Sequence, residues 1–64
     1  MILKELLTVT SQGINLYNCN TYENLFTGNC LNVPLKYRNA KINRLGYVIR
    51  EGCYLFDVGL VVDG

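Results

Sequence analysis

A chain of 64 residues makes one small domain, residues 1–64, and at that size folding buries only about 60% of the unfolded surface, so a lone copy is marginal. Half of the residues are hydrophobic and 17% are charged, which excludes a disordered chain, and the apolar runs fall far short of the roughly 18 residues of a membrane span. A net charge of +1 excludes both an acidic nucleic-acid mimic and a histone-like binder, and without histidine and with a single serine most nucleophilic and zinc chemistries lack their parts.

The chain opens on a helical pattern. Ile2, Leu3, Leu6 and Leu7 recur at spacings of three and four and make one apolar stripe, with Lys4 and Glu5 facing away. The β-branched run Thr8-Val9-Thr10 ends it, and Ser11-Gln12-Gly13 reads as a turn. So short a helix is unstable alone in water and must dock on something apolar.

Strand signals follow. From Ile14 to Cys19 the pattern alternates, with Ile14 and Leu16 on one face and Tyr17 and Cys19 on the other. The polar stretch Asn20–Asn24 turns the chain into a second strand, Leu25–Leu31, completing a hairpin in which Gly28 marks a bulge or a close backbone approach. Pro34 then predicts a short helical turn over Leu35, Lys36 and Tyr37, with Asn32 as its cap.

Beyond Lys41 the chain is extended again, with Leu45, Tyr47 and Ile49 on one face and Arg44, Gly46, Val48 and Arg50 on the other. Glu51-Gly52 reads as a tight turn into a last strand. There Tyr54, Phe56, Val58 and Leu60 oppose Cys53, Leu55, Asp57 and Gly59. The expected fold is α+β: a short N-terminal helix packed on a four-stranded, mostly antiparallel sheet. The alternative is a small SH3-like β-barrel, because the strands are short and glycines sit where a sheet can bend.

Cys19, Cys30 and Cys53 are odd in number, widely spaced and free of a CxxC pair, a poor disulfide framework and a poor metal site. The opening MILKELL is too short and too charged for a signal peptide, so the expectation is reduced cysteines acting as small hydrophobes in a cytoplasmic protein. Asparagines favour turns, and their excess over any plausible number of turns points to an AT-rich genome.

Taken in order, LKELL, INLY, NLFTG, the NVP turn and CYLFDV resemble short proteins of unknown function in Firmicutes bacteria and their phages. The resemblance spans most of the chain and implies a mobile-element setting, with host cytoplasm as the location if the protein is phage-encoded. Its motifs are structural, and no catalytic residue comes with it. This chain departs from such proteins in lacking their acidic character.

Charge is unevenly placed. Lys36, Arg38, Lys41, Arg44 and Arg50 fall in a stretch without an acid, while the rest of the chain sets Lys4 against Glu5, Glu23, Glu51, Asp57 and Asp63. Tyr37 and Tyr47 interleave with the cations, a pattern suited to stacking on a base while the cations hold phosphate. The candidate binding set is therefore Lys36, Tyr37, Arg38, Lys41, Arg44, Tyr47 and Arg50. The bland reading of the same residues is a solvated sheet surface that keeps strand edges unpaired.

Apolar residues on both faces of the last strands are the other signal. Tyr47, Ile49, Tyr54 and Phe56 are expected to serve one core, leaving Val48, Leu55 and Tyr17 for a second surface. Burying each large side chain stabilises by roughly 1.5–3 kcal/mol, so self-association is the simplest outcome. The carboxylates lack a paired spacing and no glycine-rich phosphate loop is present, so enzymatic activity, a cofactor and a metal are not expected. Two functions follow. One is a non-enzymatic homo-oligomer of a phage or mobile element that binds and inhibits a host defence protein. The other is a nucleotide or nucleic-acid binder acting through the basic tyrosine and arginine surface.

Overall fold

A computed structural model of the chain describes residues 1–10 and 12–62. Its elements, in order, are α1 (Leu3–Leu7), β1 (Gly13–Asn18), β2 (Asn24–Asn29), a 3-10 turn (Cys30–Asn32), α2 (Leu35–Arg38), β3 (Lys41–Arg50) and β4 (Cys53–Val61). The four strands form one sheet in the order β2-β1-β4-β3. The α+β expectation holds. The sheet stays open, with β2 and β3 as separate edges, so the barrel alternative does not form.

Both hairpins are antiparallel, but the two halves join through a parallel pairing of β1 with β4 at the centre. Ile14 and Leu16 lie beside Phe56 and Val58 on one face, called here the helix face. Asn15 lies beside Asp57 and Tyr17 beside Gly59 on the opposite, open face. The connection from β2 to β3 crosses the helix face, where Cys30 and Val33 join Leu3, Leu6, Ile14, Leu16, Val58 and Leu60 in the core.

The opening helix docks as its stripe requires. Leu3 and Leu6 are buried, Leu7 packs against the core, and the Glu5 carboxylate accepts from the Ile2 N–H at 2.9 Å. Ile2 itself bridges to Lys41. Leu3 N–H donates to the Ala40 carbonyl at 2.9 Å and Ile42 N–H to the Met1 carbonyl at 2.9 Å, so the N-terminus covers the start of the β3 edge.

Several local expectations change. Pro34 sits at the N-cap of α2, with no side-chain cap, and Asn32 plays no part. Asn29 caps instead, its Oδ1 accepting from Leu31 N–H at 2.8 Å to start the 3-10 turn. The irregularity in the first hairpin falls between Leu16 and Tyr17, not at Gly28, which is a close approach: a Cβ there would meet the Phe26 ring at 3.2 Å. Of the expected Ser11-Gln12-Gly13 turn, Ser11 lies outside the described residues, as does Asp63, and Gly13 already opens β1.

The largest correction concerns the core. A helix of five residues is about 8 Å long, whereas a strand of ten residues spans about 33 Å. The helix layer therefore covers one end of the β3–β4 hairpin and leaves the other bare. Leu45, Tyr47, Ile49 and Tyr54 are exposed at 51%, 67%, 62% and 64%, and Phe56 is half-buried. The surplus apolar surface is thus on the helix face, while Val48, Leu55 and Tyr17 on the open face are half-buried.

Candidate functional site

The sequence-predicted binding residues divide among three places. Lys36, Tyr37 and Lys41 line an open cavity of about 690 Å³ between α2, the start of β3 and the end of the first hairpin. Lys36 Nζ stands 5.1 Å from the Tyr37 ring centroid, and Tyr37 packs against the core. Arg38 turns back, its Nε donating to the Val33 carbonyl at 3.3 Å. Arg44 and Arg50 share the open face, as their even spacing predicts. Tyr47 lies on the helix face, its ring centroid 4.9 Å from that of Phe56. The sheet therefore separates both expected stacking tyrosines from Arg44 and Arg50.

Two features missed at the sequence level stand out. On the helix face, Leu45, Tyr47 and Ile49 of β3 pair with Val58, Phe56 and Tyr54 of β4 in a ladder that runs off the end of the helix layer. This ladder borders the free edge of β3. Glu51 and Gly52 both have left-handed φ, 52° and 78°, the geometry of a two-residue turn closed by Arg50 and Cys53. Antiparallel alternation from that closing pair sends the N–H and C=O groups of Leu45, Tyr47 and Ile49 away from β4. Among the described residues nothing pairs with that edge except Met1 and Ile2 at its start, beside Ile42 and Lys41.

On the open face, a polar network occupies the sheet centre. Asn15 is only 4% exposed. Its Nδ2 donates to Asp57 Oδ1 at 2.8 Å, and its Oδ1 accepts from Asn24 Nδ2 and Thr27 Oγ1, each at 2.6 Å. The hydroxyl end of the Tyr17 ring lies over Gly59, where a Cβ would come within 2.8 Å of it, and Tyr22 stacks on Tyr17 at 6.0 Å between centroids and 14° between planes. Asn15, Tyr17, Tyr22, Asn24, Arg50 and Asp57 enclose a shallow cavity of about 290 Å³. The signal for it was in the strand alternation, which puts Asn15 with Tyr17 and Asp57 with Gly59 on one side. Base composition alone does not account for the asparagines: Asn15 and Asn24 build this network and Asn18 and Asn29 cap turns.

Cys19, Cys30 and Cys53 are free, with Cys30 buried in the core, Cys19 half-buried and Cys53 exposed. Among the described residues no His, Cys, Asp or Glu cluster could hold a metal ion, and no helix is long and apolar enough to cross a membrane. No protein-family model, no curated protein and no solved structure matches the chain.

Proposed function

We propose that the chain is a non-enzymatic interaction protein that self-associates through the free edge of β3 and the apolar ladder beside it. The carrying observation is the coincidence of the two: outward-facing backbone groups at Leu45, Tyr47 and Ile49, on the residues whose side chains form the exposed ladder. An added strand satisfies the backbone groups, and its side chains cover the ladder. Exposed edges of this length are usually blunted by charge, proline or a bulge, and from Leu45 to Ile49 this one is not.

Charge selects the register. A two-fold axis centred on Tyr47 would set Arg44 opposite the partner's Arg50, like charges that repel. Centred on Gly46, it sets Leu45 opposite the partner's Tyr47 and Arg44 opposite the partner's Val48, which keeps the arginines apart. In the mobile-element setting that the resemblance implies, docking on a host protein would use the same edge.

Size-exclusion chromatography with light scattering tests this reading. The expected mass at micromolar concentration is twice that of the chain, falling to one copy for Tyr47→Lys. A folded wild-type monomer at that concentration would overturn it.

A further inference from the structure

The open-face cavity has a chemistry of its own. Asp57 uses Oδ1 to hold Asn15, and Oδ2 has no hydrogen-bond partner among the described residues. Asn24 Nδ2 donates to Asn15, Leu16 and Thr27, and its Oδ1 has no hydrogen-bond partner among the described residues. The free groups at the centre are therefore hydrogen-bond acceptors. Beside them stands an aromatic platform, Tyr17 with Tyr22 stacked on it. Tyr22 is exposed and holds φ at 63°, a left-handed backbone that a bulky residue rarely adopts; its N–H is tied to the Asn18 carbonyl at 2.7 Å. Arg50 borders the same cavity without forming an ion pair with Asp57. Gly46 lies opposite Asp57 and brings no side chain, so the carboxylate stays open toward β3 between Arg44 and Val48.

A ligand that fits needs adjacent N–H donors, a flat ring and an anionic tail. We infer that this cavity binds a guanine nucleotide: the base edge on Asp57, its ring against Tyr22, and its phosphate at Arg50. Guanine offers two neighbouring donors, the ring N–H and the exocyclic amino group, which the one carboxylate accepts together through Oδ2 and the second lone pair of Oδ1. Adenine sets an acceptor beside its amino group, and that acceptor would face the carboxylate. Aromatic stacking is tolerant of base identity, so Asp57 supplies the choice and Arg50 holds the phosphate. This site lies on the face opposite the β3–β4 apolar ladder and does not depend on self-association.

The test is a titration of the labelled protein at low salt, followed by amide NMR, with GMP, AMP, guanosine and inorganic phosphate. The expected result is that GMP moves the side-chain amides of Asn15 and Asn24 and the backbone signal of Tyr22, with AMP about tenfold weaker or more. Asp57→Asn keeps an acceptor for Asn15, so the fold survives, and it removes the preference for GMP over AMP. Arg50→Ala weakens GMP and leaves guanosine unchanged. Absence of shifts with GMP at millimolar concentration would overturn the inference. Equal response to GMP and AMP, or the same shifts with phosphate alone, would do so as well.

Discussion

Asn15 and Asp57, 42 residues apart in sequence, face each other across the parallel pair at the sheet centre, with Asn15 Nδ2 donating to Asp57 Oδ1 at 2.8 Å. The bond ties the first hairpin to the second on the face that no helix covers. A buried amide whose donor and acceptor are both engaged specifies this alignment, because a slip of one residue would leave it unpaired.

Replacing that amide should therefore weaken the whole fold. Asn15→Ala strands the Thr27 hydroxyl and one oxygen of Asp57, and a loss of about 1–3 kcal/mol is expected in urea unfolding. A stability unchanged from wild type would show that the network is only surface hydration.

Gly59 is where β4 passes under an aromatic ring. Gly59→Ala places a methyl within 2.8 Å of Tyr17 Cζ and 2.9 Å of its hydroxyl, so the ring must lift. Near-UV circular dichroism should then lose the signal of the Tyr17–Tyr22 stack while far-UV ellipticity persists. Retention of both spectra would place the rings elsewhere.

The second turn offers two substitutions of opposite sign. Glu51 adopts φ 52°, which asparagine or glycine tolerates better, so Glu51→Asn should stabilise by up to about 1 kcal/mol. Gly52 has φ 78°, and Gly52→Ala should destabilise by about 1 kcal/mol although nothing lies within 4 Å of the new methyl. Thermal unfolding of both variants reads the pair together.

The core under α1 is small enough that one truncation matters. Leu3 is fully buried against both helical and strand neighbours, and Leu3→Ala should cost about 2–5 kcal/mol. For a domain of this size that is most of the available stability, so the variant is expected to be largely unfolded at 37 °C by circular dichroism.

Much of the fold was legible in local pattern. Alternation placed Arg44 and Arg50 on one face and Leu45, Tyr47 and Ile49 on the other, Glu51-Gly52 marked the turn, and the leucine stripe marked the docking face of α1. Three things were not. The parallel β1–β4 pairing depends on a crossover whose path no local signal encodes. The extent of the core depended on how far a five-residue helix reaches, which is why Tyr47, Ile49 and Tyr54 are exposed rather than buried. The candidate site dispersed for a related reason. Charge proximity in sequence, from Lys36 to Arg50, runs through a helix end and then along alternating faces, so neighbours in the chain point to different sides of the sheet.

Hydrogen exchange at the amides of Leu45, Tyr47 and Ile49 tests the central claim most directly, because these groups have no partner within one copy of the chain among the described residues. If a second copy pairs with β3, all three exchange slowly at high protein concentration and speed up on dilution. Fast exchange at every concentration, with Val58 and Leu60 still protected, would contradict the account.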